Sequence, residues 1–295
     1  MYINTSGLVL RETAYKDSSK ILTVLAGGEG KLTVVARGAL RRNSKLTAAT
    51  QLLAFSEMTL YCSRDRWTLT EARSVEQFIG LRDDITLLAL GAYFAELTEA
   101  VADEDSPNPE LLPLCLNALF ALSEKIKTPD YIKPAFELRL MAVSGFMPLI
   151  EHCAACGREE PGRAILDFIS GTIHCSDCGL ADDFCMRCDS SDSQRRIIDC
   201  NDVKTNCVSE FADEYDVTRD NHDAQTRDIS GSCAVLSKGA LRAARYIIGC
   251  EPKKLFAFTL SDSSLRELSF ATEGYLLAHL ERRFRTLDYF KEYKG

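Results

Sequence analysis

The sequence predicts an α+β multidomain protein. It has an N-terminal five-stranded barrel and then a C-terminal helical domain interrupted by a four-cysteine ribbon. Three observations carry that expectation. Residues 1–80 break into short β-branched runs separated by turns, and from residue 79 apolar residues recur three or four apart. Two C-x-x-C pairs then interrupt the helical pattern, Cys153 with Cys156 and Cys175 with Cys178. A chain of 295 residues is long enough for two or three domains with a sizeable core.

The barrel comes first, over residues 1–80. "SGLVLRETAY" and "SKILTVLA" are apolar runs, and "KLTVVARG" follows the Gly27-Gly28-Glu29-Gly30 turn. "SEMTLYCSRDRWTLTEARSV" alternates about a turn at Ser63 to Asp65. About five closely spaced strands suggest a small antiparallel barrel, of which the OB-fold is the commonest five-stranded form. Helical periods follow over 81–150, where Leu87, Leu90, Phe94 and Leu97 share a face, and "NPELLPLCLNALFALSEKI" and "KPAFELRLMAVSGFMPLI" repeat the pattern after proline-containing turns. The period returns over 231–295 in "SKGALRAARYIIG" and "SSLRELSFATEGYLLAHLERRFRTL". Between these halves lie the ribbon, 151–181, and a segment, 182–230, with thirteen acids, six bases and few apolar residues, expected to be an exposed, partly flexible insertion.

Twelve cysteines raise the question of disulfides, but disulfide-rich secreted proteins are short and exported. "MYINTSGLVLRETAYK" has no basic start or long apolar run, and no stretch nears the ~18 to 20 apolar residues of a membrane span. A soluble cytoplasmic protein is expected. The two knuckles "CAACG" and "CSDCG" are separated by the segment from Gly157 to His174, and "RAILDFISGTIH" within it reads as a hairpin turning at Ser170-Gly171. That is the spacing of a four-cysteine zinc ribbon, whose thiolates fill a tetrahedral site and leave no place for a catalytic water. One structural zinc on Cys153, Cys156, Cys175 and Cys178 is therefore expected. A thiol redox pair is the alternative, but it needs a C-x-x-C at a helix start near a βαβ unit. Cys185, Cys188, Cys200 and Cys207 leave a second metal open. Cys62, Cys115, Cys233 and Cys250 are scattered and read as buried small hydrophobes, and His152 and His174 as neighbours of the ligands or solvated.

Charge is unevenly divided. The chain carries a formal −8, yet residues 1–80 carry +4 and the rest −12. Within "GKLTVVARGALRRNSKL", Lys31, Arg37, Arg41, Arg42 and Lys45 stand with no acid among them. A solvated loop would mix signs. A polyanion responds to a local patch within a Debye length of about 8 to 10 Å, whatever the total charge.

The stretch "GLVLRETAYKDSSKILTVLAGGEGKLTVVARGALRRNSKL", with "FELRLMAVSGFMP", the two knuckles and the closing "LRAARYIIG…HLERRF", resembles the RecO family of bacterial recombination mediators over almost the whole chain. The match departs at 182–230. The resemblance implies an OB-fold, a helical domain and a zinc knuckle. It also implies a non-enzymatic function in DNA repair and recombination: binding single- and double-stranded DNA, annealing strands and, with RecR, helping RecA displace single-strand-binding protein (SSB). The loop cations suit that task, because they follow phosphates without reading sequence and screen two polyanions from each other. Tyr15, Tyr61 and Trp67 are candidate stacking surfaces or barrel filling. For the acidic, apolar SSB tail, Lys238, Arg242 and Arg245 fall on one helical face with Leu241, Ala244 and Ile248 beside it, and Arg282 and Arg283 are a rival. Such a protein works in the cytoplasm, at the bacterial nucleoid. The competing readings are a zinc-containing nucleic-acid hydrolase, for which the four histidines form no H-x-x-x-H or paired-acid motif, and a zinc-ribbon transcription factor, which leaves the helical domain unexplained. No phosphate-binding glycine motif supports an ATPase.

Overall fold

The structure, a computed structural model, describes residues 1–104, 107–179 and 233–294. Strands β1 (Tyr2–Tyr15), β2 (Ser19–Ala26), β3 (Gly30–Ala36), β4 (Phe55–Ser63) and β5 (Arg66–Glu76) close a barrel in the order β1-β2-β3-β5-β4. Closure depends on two features. β1 shifts register between Val9 and Arg11, so its first half pairs with β4 and its second with β2. β3 and β5 run parallel, with Val34 opposite Trp67, while every other pairing in the barrel is antiparallel. This is the five-stranded closed sheet that the alternating sequence predicts. Val9, Leu22, Val24, Val34, Met58 and Leu60 fill the interior.

The outer face of the barrel is not all solvated. Leu8, Leu10 and Leu25 point outward and join the core of the helical part, together with Leu53 from the β3–β4 connection. Burying apolar area on both faces of these strands makes barrel and helices one continuous structure. Polar ties reinforce the seam, among them Arg11 to Glu99 at 2.8 Å.

The helices are α1 (Ile85–Val101), α2 (Leu111–Ser123), α3 (Pro129–Val143), α5 (Lys238–Gly249), α6 (Asp262–Leu280) and α7 (Arg285–Lys294), with a four-residue α4 (Ser176–Gly179) in the ribbon. Their starts follow local chemistry. Asp84 accepts from the Thr86 N–H at 2.8 Å, and Ser237 and Ser261 cap α5 and α6. α3 starts at Pro129, earlier than its periodicity suggests, and places Pro134 inside the helix. The last helical stretch is two helices, because Glu281 takes a left-handed conformation at φ 48°.

A buried polar knot holds the helices together. Glu137 of α3 is fully buried and accepts from Tyr93 of α1 and Thr272 of α6, each at 2.8 Å. Lys133 reaches both Glu137 at 2.8 Å and Glu273 at 2.7 Å, and Lys291 of α7 closes on Glu273 at 2.5 Å. All the charges are paired, as burial demands.

The cysteine region is a four-stranded sheet in the order β6-β8-β7-β9, formed by β6 (Leu149–Cys153), β7 (Arg163–Asp167), β8 (Thr172–Cys175) and β9 (Cys233–Ser237). β7 and β8 are the expected hairpin, with Gly171 at φ +68° in its turn. β9 is a correction to the expectation that 231–295 is helical. It crosses back from beyond residue 232 to pair with β7. Leu166, Ile173 and Leu236 of this sheet join the helical core, and Gly274 of α6 makes room for Phe168, since a Cβ there would lie 2.4 Å from the ring.

Candidate nucleic-acid interface and metal centre

The candidate metal site is assembled by two backbone turns. After Cys153 the chain folds back so that the Gly157 N–H donates to the Cys153 carbonyl at 2.9 Å, with Gly157 at φ +71° where a side chain would be strained. Cys175 ends β8, and α4 carries Cys178. The four sulfurs lie within 4.8 Å of one another, and Cys156 and Cys175 are 3.7 Å apart. Tetrahedral zinc with Zn–S bonds of about 2.3 Å needs sulfurs roughly 3.8 Å apart, so the donor set fits. Two of the thiols are pulled in opposite directions. Burial opposes a thiolate at Cys153, yet the N–H groups of Cys175, Cys156 and Ala155 bring that thiol down to about 6. Cys178 hydrogen-bonds Cys175 and Cys156 and is pushed up to about 12. Such crowded sulfurs shed their last protons when a divalent cation takes the negative charge.

Surrounding contacts hold the two knuckles together. Arg158, just past the first, bridges to Asp177 inside the second at 2.6 Å. His152 is exposed, and His174 is half-buried on β8 opposite Ile165. Of the scattered cysteines only Cys115 is buried, while Cys62, Cys233 and Cys250 are half-buried. Cys185, Cys188, Cys200 and Cys207 lie outside the described residues.

The five predicted phosphate-binding cations do not share one environment. Lys31 sits at the start of β3, where its Nζ donates to the Glu99 carbonyl at 3.3 Å, so it serves the seam with α1. Arg37, Arg41, Arg42 and Lys45 are all exposed on the β3–β4 connection. None has an acid within ion-pair distance among the described residues, and the barrel's own pairs use Arg11, Lys20 and Arg73. The loop is a chain of bonded turns and not a free tether. The Arg41 N–H donates to the Gly38 carbonyl, Ser44 to Arg41 and Leu40 to Ser18, at 3.0 to 3.1 Å. Gly38 permits the first turn with φ +70°, and Ala39 is buried beneath it. The Leu40 bond also brings the β1–β2 turn alongside, adding exposed Lys16, whose Nζ lies 5.2 Å from the Tyr15 ring. Sequence reasoning passed over Lys16, since only the hairpin pairing makes it a neighbour. Among the aromatics, Trp67 packs partly on the barrel core while Tyr15 and Tyr61 face out.

Lys238, Arg242 and Arg245 do share one face of α5, but that face is occupied. All three reach the carboxylate of Glu160, at 3.5, 2.9 and 3.5 Å. Arg245 also donates to the carbonyls of Ile150, Glu151 and Glu159 at 2.6 to 2.8 Å, clamping the ribbon to the helix. Arg242 first, and then Lys238, hold the Glu160 carboxyl below its ordinary value. The expected apolar strip beside them is core, with Leu241 and Ala244 buried and Ile248 half-buried. Arg283 is exposed at the rival location, and Arg282 faces Glu96 at 3.9 Å.

Comparisons with known proteins agree with this architecture. Residues 1–78 match the family model described as recombination protein O N terminal, and residues 82–199 match recombination protein O C terminal. The chain is 28% identical to a DNA repair protein RecO of Acetivibrio thermocellus over 98% of this chain and 96% of that one. It is 30% identical to the Symbiobacterium thermophilum protein of the same name, over 97% and 95%. With the Caldicellulosiruptor bescii RecO it shares 32% identity over 70% of this chain and 84% of that protein. With residues 1–78 and 82–199 matched by the family's two models and relatives of 30 and 32% identity aligned over 97 and 70% of its length, this chain is a member of the RecO family of DNA repair proteins.

Proposed function

We propose that this chain is a non-enzymatic DNA-binding and strand-annealing recombination mediator. One observation carries the reading: Arg37, Arg41, Arg42 and Lys45 stand exposed on a bonded loop of an OB-type barrel, unpaired with acids among the described residues, with Lys16 beside them. Cations in this state attract phosphate without selecting sequence, and a preshaped loop loses little entropy on binding. They also screen two strands from one another, which is what annealing requires. The four-sulfur centre supports structure over catalysis, since a filled tetrahedron offers no open position. For that reason the hydrolase reading is weaker, and a transcription factor has no use for the helical domain that is continuous with the barrel.

The family likeness supports further partners: RecR, RecA loading on SSB-coated single strands, and work in the cytoplasm at the nucleoid. For the acidic SSB tail, Lys238 and Arg242 remain the candidate contacts, half-exposed and balanced by Glu160, which the tail's carboxylates would replace. Arg245 belongs to the ribbon clamp. The test of the central reading is an annealing assay on complementary oligonucleotides without nucleotide, beside a nuclease control. Faster duplex formation with intact strands is expected. No acceleration, or cleaved strands, would overturn it.

A further inference from the structure

Resting on the DNA-binding reading above, we propose that the paired rings of Tyr2 and Tyr61 are a base-stacking platform for single-stranded DNA, reached across the outer face of the barrel from the cation loop. Strand register draws the path. Val35 of β3 stands opposite Thr68 of β5, Thr68 opposite Tyr61 of β4, and Tyr61 opposite Tyr2 of β1. These residues alternate with the buried Val34, Leu60 and Leu69, so all of them face outward. Neighbouring strands lie about 4.8 Å apart, which makes the path from β3 to Tyr2 about 14 Å long. One strand covers that span easily, since an OB barrel occupies ~4 to 16 nucleotides.

The aromatic pair has no structural task that explains its exposure. Tyr2 is 67% exposed and Tyr61 37%, with ring centroids 4.7 Å apart. Neither hydroxyl has a hydrogen-bond partner among the described residues. Charge around the path is asymmetric. On the flank toward the β4–β5 turn the outward residues are Thr33, Ser63 and Arg66, with Arg64 in the turn beside Asp65. The opposite flank is mixed: because β3 and β5 run parallel, Arg37 lies in the direction of Thr70 and Glu71, and Glu57 further along is held by Arg73 at 3.0 Å. A single strand lies here with its phosphates toward Arg64 and Arg66 and its bases on the rings. A duplex cannot use the platform, because its bases are stacked on one another. The platform therefore favours the single strands that annealing starts from.

The test compares Tyr2→Ala with Tyr61→Ala against Tyr2→Phe with Tyr61→Phe and the parent. Each is titrated with a labelled ~20-nucleotide oligo-dT, an abasic oligonucleotide of the same length and a duplex. The alanine pair is expected to weaken oligo-dT binding by about 5- to 100-fold while leaving the salt slope, the duplex and the abasic strand unchanged. The phenylalanine pair keeps the rings, and is expected to bind like the parent. The platform is overturned if the alanine pair binds oligo-dT as tightly as the parent, or loses oligo-dT and duplex alike. If Arg41→Gln with Arg42→Gln weakens binding and the alanine pair does not, the DNA reading survives without the platform. A parent that binds no DNA overturns both.

Discussion

Replacing Arg41 and Arg42 by glutamine removes two of the four exposed cations of the β3–β4 loop. The loop keeps its shape, since the turns at these residues are closed by backbone bonds from Arg41 to Gly38 at 3.1 Å and from Ser44 to Arg41 at 3.0 Å. On single strands each phosphate contact contributes about 0.7 to the slope of log affinity against log salt. The loop's four contacts then contribute about 2.8 to the slope, and the variant's remaining two about 1.4. Raising salt fourfold, from about 50 to about 200 mM, weakens the loop's share of binding about 50-fold in the parent and only about 7-fold in the variant. Fluorescence anisotropy of a labelled oligo-dT at several salt concentrations reads both slopes. An unchanged slope would refute the assignment even if affinity fell, because it would show that no phosphate contact had been lost. A steeper fall for one base sequence than another would refute the claim that the loop ignores sequence.

The remaining predictions concern the metal and the architecture. Elemental analysis of reduced, metal-replete protein is expected to give one zinc per chain from the described ligands, and chelation is expected to loosen the ribbon while leaving the loop's salt slope unchanged; a ratio near zero would contradict the site. Glu137→Ala strips Lys133, Tyr93 and Thr272 of a shared partner and should cost about 3 to 5 kcal/mol in urea unfolding, so a loss under about 1 kcal/mol would deny the knot its role. Gly274→Ala drives a methyl into the Phe168 ring and should cost about 1 to 3 kcal/mol by overpacking, seen as a lowered melting temperature. Glu160→Ala leaves Arg245 on its three carbonyls and frees Arg242 and Lys238, so an acidic tail peptide should bind more tightly in a fluorescence titration; unchanged affinity would place the tail elsewhere. Because the Glu160 carboxyl is held below its ordinary value, its tie is complete at neutral pH and is lost only as pH falls through that lowered value.

Much of the fold is written locally. The five strands are legible because each alternates and ends in a turn, such as Gly27 to Gly30 or Ser63 to Asp65, and the ribbon because two knuckles and a hairpin all fit between Cys153 and Cys178. β9 was not legible. It runs straight into α5, and Ser237 both ends the strand and caps the helix, so no turn separates two periods. Its partner β7 lies on the other side of the acidic segment, and only the folded chain reveals that pairing. The outward leucines of β1 and β2 escaped for a related reason, because alternation marks one buried face and cannot report that a helix covers the other.

The candidate site shows the same limit in its charges. Residues 1–80 carry eleven cations, and the sequence supplies their count without their partners. Folding sorts them. Arg11, Lys20 and Arg73 are taken by Glu99, Glu12 and Glu57, and Lys31 by the Glu99 carbonyl. Lys31 looked like part of the cluster, yet the extended strand between them sets it about 20 Å from Arg37. The other seven, Lys16, Arg37, Arg41, Arg42, Lys45, Arg64 and Arg66, are exposed, and they sit on or beside turns where, among the described residues, no neighbouring strand places an acid within ion-pair reach. A charge that is already paired within the fold gives little to a phosphate, because the acid must first be displaced. The proposed nucleic-acid surface of this barrel is therefore what remains after intramolecular pairing: four of the five cations of the basic run, joined by Lys16, Arg64 and Arg66 from other turns.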